Sequence, residues 1–307
     1  MMRSKTLLGV AAAALLAAGC GAEPAKPAAG GSGPVDAPAP TAVLRWTAIP
    51  DTDAQALKAK YTSISTYLAD RLGVKVEYVP VADYKASVEG FKSGDLQLAW
   101  FGGLTGVQAR AAVPGARAIA QGAEDPEYKS YFIAHADTGI EPSEEFPTEL
   151  GGVAFSFGSE SSTSGRLMPE YFLRKITGKS PKDFFTAGFS FSGAHDKTAR
   201  LVQEGGAVKA GVLSYTTYDK MVERGELDPG VCRIVWTTPF YADYNFTAHP
   251  RLEEMFGEGT IQRLQDALVA MDDKQLLDAF PRSAIIPAEN ADFAAIEDVA
   301  RELGLLR

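Results

Sequence analysis

Cysteine and histidine are scarce in this chain, whose 307 residues include two cysteines and three histidines. Cys20 and Cys232 lie far apart, so the sequence offers neither a disulfide framework nor a cysteine-rich metal site. His135 and His249 have no partner at the spacing of metal ligands. The sequence therefore predicts no metal centre.

Basic runs and nucleotide-binding motifs are also missing. The chain has 30 Lys and Arg residues against 39 Asp and Glu residues, which gives a formal net charge of −9 at pH 7. Contact along a nucleic-acid backbone requires a basic stripe, so nucleic acid is not expected as a partner. Neither a P-loop nor a Gly-x-Gly-x-x-Gly fingerprint occurs, and we expect no cofactor.

The body of the chain has the composition of a folded protein. Hydrophobic residues make up 46% and charged residues 22%, which allows a large core and excludes wholesale disorder. At roughly 100 to 200 residues per domain, the length corresponds to two domains or to one large domain.

The N-terminus has the three-part plan of a signal peptide over residues 1–19. Arg3 and Lys5 precede an apolar run from Leu7 to Leu16 that is too short to cross a bilayer of about 30 Å as a helix. The run ends in Leu-Ala-Ala-Gly-Cys, which resembles a bacterial lipoprotein signal and implies that Cys20 becomes the lipidated first residue. The alternative is an ordinary signal peptide with an incidental cysteine. Cleavage removes two basic residues, leaves a net charge of −11 and places the protein outside the cytoplasmic membrane.

Residues 20–41 are rich in Gly, Pro and Ala and cannot bury enough apolar surface to fold. We interpret them as a lipid-anchored flexible linker. Such a linker holds a folded body beside a membrane partner and raises its effective concentration there. A protein that captures or delivers a molecule at the membrane fits this plan.

From Ala42 onwards, short apolar strands alternate with amphipathic helices, as is typical of parallel α/β sheets. A strand over Val43 to Ile49 precedes a helix over Gln55 to Leu72, and a second run of the same kind starts at Val153. The two runs have the same alternation of strands and helices but no sequence repeat. Two α/β lobes fit this better than one long sheet.

The strongest local signal is the loop Gly158 to Gly165, which is rich in Ser and Thr and leads into a helix. Ser161 or Ser162 can cap that helix, and the amides that follow would then point at one spot with the positive end of the helix dipole behind them. This predicts a cradle for a small oxyanion, built from the residues Ser162, Thr163, Ser164 and Gly165. The alternative is a well-capped structural helix, because one capping residue suffices.

A second signal is His195-Asp196, where a strand turns into a helix. His195 can donate to an anion when it is protonated or in the right tautomer, and Asp196 can cap its own helix. The alternative is a surface histidine beside a capping aspartate. A Ser-His-Asp triad is excluded because the side chains of adjacent residues diverge and the Ser loop lacks the Gly-x-Ser-x-Gly elbow.

Further candidates lie at the carboxyl ends of predicted strands, where open α/β sheets bind ligands. They are Tyr84, Phe101, Gly102, Ser214, Tyr215 and Asp243. The aromatic members have core or lid packing as their alternative role.

Together these segments resemble the phosphate, phosphite and phosphonate-binding components of ABC importers. The resemblance runs from about Leu44 to the C-terminus, through Val-Ala-Asp-Tyr at Tyr84, Ala-Trp-Phe-Gly at Phe101, Ser-Thr-Ser-Gly at Ser162 and Gly-Ala-His-Asp at His195. It implies a two-lobed type II periplasmic binding protein fold with a ligand cleft between the lobes. It also implies that the Ser-Thr-Ser run holds the anion's oxygens while Tyr84 and His195 donate from other sides. Phe101 stands where phosphonate binders often carry Tyr, which removes a hydroxyl donor.

The runs around Phe101 and Ser162 are most similar to a branch described as selenate-binding. A protonated phosphite or phosphate needs an acceptor, whereas a selenate dianion needs only donors. Hydroxyls replace carboxylates around Ser214, which suits selenate, but Asp196 and Asp243 remain and would repel a dianion if they faced it. The sequence thus predicts a small tetrahedral oxyanion, with selenate as one hypothesis.

We therefore predict a monomeric, lipid-anchored, extracytoplasmic binding protein of an ABC importer, which is not an enzyme and delivers its anion to the permease. One lobe would comprise residues 42–132 and 242–307, and the other residues 133–241. A ligand held by donors from both lobes stabilises the closed form that an importer recognises. An oxyanion-sensing lipoprotein and an extracytoplasmic hydrolase are the alternatives, although a hydrolase needs a metal cluster or an activated nucleophile.

Overall fold

Strands and helices alternate along residues 42–306, the part of the chain that this computed structural model describes. The strands are β1 Val43–Ala48, β2 Lys75–Tyr78, β3 Leu98–Phe101, β4 Arg117–Gly122, β5 Ser130–His135, β6 Phe155–Phe157, β7 Phe189–Phe191, β8 Ala210–Ser214, β9 Cys232–Thr237, β10 Asn245–Ala248 and β11 Ile285–Pro287. The α-helices are α1 Ala54–Leu72, α2 Tyr84–Lys92, α3 Gly103–Ala112, α4 Met168–Thr177, α5 Pro181–Phe184, α6 His195–Glu204, α7 Tyr215–Glu223, α8 Arg251–Phe256, α9 Thr260–Val269, α10 Lys274–Leu277 and α11 Ala294–Glu302. A π-helical turn, Thr163–Leu167, leads into α4.

The predicted signal peptide at 1–19, the lipidation site Cys20 and the linker at 20–41 lie outside the described residues. Within residues 42–306, no helix is long and apolar enough to cross a membrane.

The strands form two sheets, which define two lobes. The first sheet has the order β11-β4-β10-β3-β1-β2 and the second the order β7-β6-β8-β5-β9. The prediction of parallel pairing is confirmed for β1 with β2 and β3, and for β6 with β7 and β8. It is wrong for β5, and β10, which was not predicted as a strand, likewise runs antiparallel to its neighbours. These two strands enter their sheet directly from the other sheet, so no crossover helix in their own lobe turns them parallel.

The main chain crosses between the sheets after β4 and again after β9. The two crossing segments, residues 123–129 and 238–244, are paired through Tyr128 and Tyr241, whose backbone groups exchange hydrogen bonds of 2.9 and 3.0 Å. The amide of Asp243 also donates to the carbonyl of Asp125 at 3.1 Å. Paired crossings of this kind allow the lobes to rotate about them. The lobe boundaries at residues 132 and 241 stay a prediction.

Each lobe has apolar packing that fixes its helices on its sheet. In the first lobe Trp46 is fully buried, and its ring lies 5.3 Å from that of Tyr61 and 6.5 Å from that of Phe280. In the second lobe Cys232 is fully buried beside Ile133, which confirms its prediction as a small hydrophobic residue. Burial raises the pKa of the Cys232 thiol to about 12, so the thiol is unreactive at neutral pH.

Several helices begin directly after the carboxyl end of a strand: α3 after β3, α7 after β8, and the π-helical turn a few residues after β6. Helix α6 begins in the same way after β7. Because those strand ends face the gap between the sheets, the first residues of these helices from both lobes meet there.

Candidate functional site

The Ser/Thr-rich loop begins its helix at Ser162. The Ser162 Oγ accepts the amide of Gly165 at 2.9 Å, so Ser162, of the two predicted candidates, is the cap. The Gly165 amide is therefore engaged by the cap, whereas the amides of Thr163 and Ser164 belong to the open first turn, in which the helix supplies no acceptor. Both side chains are almost fully buried. This segment presents amides and hydroxyls to one enclosed region, as a cradle for an anion requires.

Thr163 reaches across the gap to the first lobe. Its Oγ1 accepts the amide of Leu104 at 3.0 Å, at the start of α3. A Cβ added to Gly102 would lie 3.1 Å from that oxygen, closer than side chains normally pack. Glycine at position 102 therefore allows the loop of the second lobe to approach the backbone of the first.

His195 is fully buried and neutral, so the alternative of a surface histidine is wrong. The amide of Ser214 donates to its Nδ1 at 3.3 Å, and the proton of the neutral ring is then on Nε2. Nε2 lies 3.5 Å from the Ser164 Oγ and 3.4 Å from the Tyr244 hydroxyl. Burial lowers the pKa of His195 to about 3, so the ring acts as a neutral N–H donor throughout the physiological range.

Asp243 places a carboxylate beside these donors. Its Oδ1 accepts the amide of Gly103 at 2.9 Å, whereas its Oδ2 is buried and has no hydrogen-bond partner among residues 42–306. Burial raises the pKa of Asp243 to about 7, although the Gly103 amide and the hydroxyls of Thr163 and Ser164 act in the opposite direction. A buried, unpartnered carboxylate oxygen costs folding free energy, and groups of this kind are concentrated at functional sites.

Tyr84, the first residue of α2, brings a further hydroxyl. Its side chain is 2% exposed, and its OH has no hydrogen-bond partner in the described part of the chain. Burial, together with the charges of Asp51 and Asp243, raises the pKa of Tyr84 well above its ordinary value. The hydroxyl therefore stays protonated and can donate a hydrogen bond to a ligand atom.

Residues 46–293 match the family described as "ABC transporter, phosphonate, periplasmic substrate-binding protein". The chain belongs to this family of phosphonate substrate-binding proteins. The match covers both sheets and nearly every element of the two lobes.

Individual members of the family are similar over most of their length. A probable ABC transporter phosphite-binding protein, PhnD1, from Prochlorococcus marinus (strain MIT 9301) is 38% identical over 272 residues, which cover 86% of this chain and 91% of the relative. A phosphate-import protein, PhnD, from Mycolicibacterium smegmatis is 27% identical and covers 85% and 86%. A solved structure of PhnD1 from Prochlorococcus marinus (MIT 9301) in complex with methylphosphonate superposes with a TM-score of 0.80 at 37% identity, over 85% of this chain and 98% of that one.

Four other residues that the sequence predicts for the site of this protein do not direct a free polar side-chain group at the donors around Asp243. They are Phe101, Ser214, Tyr215 and Asp196. The ring of Phe101 is buried and packs edge-on against Phe91 at 5.6 Å. The Ser214 Oγ bonds the Tyr128 hydroxyl at 2.7 Å, and Ser214 contacts His195 through its amide. Tyr215 packs on Tyr128, and Asp196 lies farther out.

Asp196 helps to line a cavity at the mouth of the cleft. This cleft-mouth cavity has a volume of about 480 Å³ and is walled by both lobes, with Asp51 and Asp278 from the first and Asp196 and Lys220 from the second. Lys60 and Lys220 flank Asp278 at 2.5 and 3.6 Å, which links the lobes by an ion pair. Among residues 42–306, no group of three or more His, Cys, Asp or Glu side chains is arranged to hold a metal ion.

Two site residues carried no signal in the sequence, Asp51 and Tyr244. The Tyr244 hydroxyl donates to the Asp51 Oδ2 at 2.8 Å, and the carbonyl of Asp51 accepts the amide of His195 at 2.8 Å. Asp51 comes shortly after β1, behind Ile49-Pro50, and this sequence is that of an ordinary strand end. Tyr244 belongs to an aromatic run that reads equally well as core.

A buried ion pair supports this side of the site. The guanidinium of Arg282 makes two hydrogen bonds to Asp125, of 2.9 and 2.7 Å, and lies 4.9 Å from the ring of Tyr244. Burial lowers the pKa of Arg282, but the attraction of Asp125 more than offsets this and leaves the pKa well above its ordinary value. The ion pair is neutral overall and holds the guanidinium of Arg282 against the ring of Tyr244.

Proposed function

We propose that the protein captures phosphite or a small phosphonate such as methylphosphonate and delivers it to the permease of an ABC importer. The single observation that carries this proposal is the buried, unpartnered Oδ2 of Asp243 beside a set of donors. The donors hold an oxyanion, and the carboxylate selects one that carries a proton.

The donors come from both lobes. Tyr84 offers a hydroxyl from the first lobe, while Thr163 and Ser164 offer amides and hydroxyls from the second, and His195 offers Nε2–H. Hydrogen bonds to a charged oxygen contribute about 1.5–3 kcal/mol each, so a few of them suffice for tight binding. At a mature net charge near −11, long-range attraction does not help, and affinity depends on these local contacts.

Asp243 distinguishes among tetrahedral anions. Two ionised oxygens repel each other and neither can donate a hydrogen bond. A hydrogen bond between the Asp243 Oδ2 and a ligand oxygen therefore requires a proton on one of the two. Phosphite, phosphate and phosphonates bring a titratable oxygen that can supply that proton, whereas selenate and sulfate are fully ionised and make Asp243 take it from solvent. This favours the phosphite and phosphonate class over the selenate hypothesis. The phosphite-binding relative and the methylphosphonate complex support the same choice.

Delivery would follow from lobe closure and membrane attachment. Contacts between the lobes at Thr163–Leu104 and at His195–Asp51 form only when the cleft is closed, and a ligand bound to both lobes favours that state. Lipidation at Cys20 and a linker over 20–41 would hold a monomeric body outside the membrane beside the permease. The protein would bind its ligand without converting it.

The test is isothermal titration of the protein with phosphite, methylphosphonate, 2-aminoethylphosphonate, phosphate, selenate and sulfate. We expect phosphite or methylphosphonate to bind most tightly. Thr163→Ala should weaken that binding about tenfold or more, because one hydrogen bond to a charged group is lost. The matched control Ser161→Ala removes a neighbouring hydroxyl and should leave it unchanged. Tighter binding of selenate than of phosphite would favour the selenate hypothesis, and no binding across the panel would refute the proposal.

A further inference from the structure

Asp51 forms hydrogen bonds with two residues of the candidate site, His195 and Tyr244. Its carbonyl accepts the amide of His195 from the other lobe at 2.8 Å, and its Oδ2 accepts the hydroxyl of Tyr244 at 2.8 Å. The same Tyr244 oxygen lies 3.4 Å from the Nε2 of His195. The three residues form a closed triangle across the cleft, between the anion site and the cleft-mouth cavity that Asp51 also lines.

The Tyr244 hydroxyl has one proton to give. An ionised carboxylate can only accept, so as long as Asp51 is ionised it takes that proton. Tyr244 then turns a lone pair towards the site. A protonated Asp51 can instead donate to the Tyr244 oxygen, which frees the phenol proton for an acceptor in the site.

We propose that Asp51 is a positioning residue that determines whether Tyr244 offers the bound oxyanion a hydrogen-bond donor or a lone pair. The proposal rests on the oxyanion-binding function proposed above and adds a control on its affinity. Protonation of Asp51, from water in the cleft-mouth cavity, adds one donor to the anion site; deprotonation removes it.

The surroundings of Asp51 place this change within the accessible pH range. Burial raises the pKa of Asp51 to about 6, although the Tyr244 hydroxyl and the charge of Arg282 act in the opposite direction. Tyr244, Arg282 and Asp196 influence the pKa of Asp51, and Asp51 in turn raises the pKa values of Tyr61, Tyr78 and Tyr84. His195 bonds the Asp51 carbonyl through its amide. The charged residues that line the cleft-mouth cavity together with Asp51 are Asp53, Lys60, Asp196, Arg200, Lys220, Arg224, Glu226 and Asp278. The phenols stay protonated and His195 stays neutral between pH 5 and about 8, since their pKa values lie outside that interval.

The experiment compares dissociation constants of phosphite for the wild-type protein and for Asp51→Asn from about pH 5 to about pH 8, on either side of the pKa of Asp51. The ratio of the two constants cancels the titration of the ligand and of Asp243. Near pH 8, Asp51→Asn should bind about tenfold more tightly, because Tyr244 can donate to the anion and an adjacent negative charge is gone. Near pH 5, where Asp51 is protonated in the wild type, the ratio should approach one. Asp53→Asn, a neighbouring exposed carboxylate of the same cavity, should show no such dependence.

Tyr244→Phe provides a second readout that does not depend on the Asp51 variant. It should weaken phosphite binding near pH 5, where Tyr244 donates, and have little effect near pH 8. A ratio that is independent of pH in both variants, or an equal effect of Asp53→Asn, overturns the role of Asp51 while leaving the proposed function intact. Failure of the wild-type protein to bind phosphite or methylphosphonate at any pH refutes the proposed function and this inference with it.

Discussion

Asp243→Asn is expected to stabilise the ligand-free protein above neutral pH and, at the same time, to reduce its selectivity for phosphite over selenate. In the wild type, Asp243 is buried with one oxygen unpartnered. Its pKa is raised from 3.8 to about 7. Because the folded state holds the proton more tightly than the unfolded chain does, stability falls as the pH rises from about 4 to about 7 and is constant above that.

The magnitude follows from the shift. About three pKa units at 1.36 kcal/mol each give a ceiling of about 4 kcal/mol at pH 8 and about 1.5 kcal/mol at pH 5. Asparagine keeps the acceptor for the Gly103 amide but places an unpartnered N–H group at the position of Oδ2, which costs about 1–3 kcal/mol at any pH. We therefore expect a net gain of about 2 kcal/mol at pH 8, or roughly 4 °C in Tm, and none at pH 5.

Thermal melts of the ligand-free protein and the variant at the two pH values measure the stability, and titrations with phosphite and selenate measure the selectivity. The preference for phosphite should fall about tenfold or more, because the amide of Asn donates to a dianion and no carboxylate accepts from a protonated ligand. A variant that is less stable at pH 8 as well as at pH 5 would show that Asp243 is a structural group bound to Gly103, and the reasoning would be refuted.

Two further predictions concern Tyr84 and Asp125. Tyr84→Phe removes a hydroxyl that has no partner within residues 42–306, so the Tm of the ligand-free protein should not fall. Titration calorimetry should show that phosphite binding is weakened about tenfold or more. A large loss of stability would argue against a ligand-binding role of Tyr84. Asp125→Asn leaves the charge of Arg282 buried without its carboxylate, and urea unfolding should show a loss of about 3–5 kcal/mol. The exposed ion pair of Glu297 and Arg301 provides a control, since Glu297→Gln should lower the free energy of unfolding by less than about 1 kcal/mol. Equal losses in the two variants would contradict the importance of burial.

Local chemistry was sufficient to predict the helix start at Ser162, which the structure confirms, and to propose an anion cradle there. Ser162 caps the helix start, and one cap suffices there, so the hydroxyls that follow it are available for other contacts, such as that of the Thr163 Oγ1 with the Leu104 amide. The pair His195-Asp196 was predicted as a unit, but successive residues of a helix point about 100° apart. His195 therefore faces the interior of the cleft, while Asp196 faces its mouth.

Long-range contacts could not be predicted in the same way. Asp125 and Arg282 are separated by 157 residues, and nothing in either local segment indicates the partner. Strand β10, with the sequence Asn-Phe-Thr-Ala, is four residues long and half polar, so it lacks the apolar run that predicts strands such as β1. Its place between β3 and β4 depends on the return of the chain from the second lobe. Asp51 acquires its role in the same way, since its partners His195 and Tyr244 come from distant parts of the chain.

The position of Asp243 on a crossing segment has a consequence for anyone who wishes to change the ligand. Its amide bonds the other crossing segment at Asp125, and Tyr241, two residues earlier, pairs with Tyr128. The carboxyl group that is proposed to recognise the ligand's proton thus belongs to one of the two paired crossing segments that connect the lobes. Substitutions chosen to alter recognition at Asp243 will also alter how fast the cleft opens, so specificity and release rate are expected to change together in engineered variants or sensors.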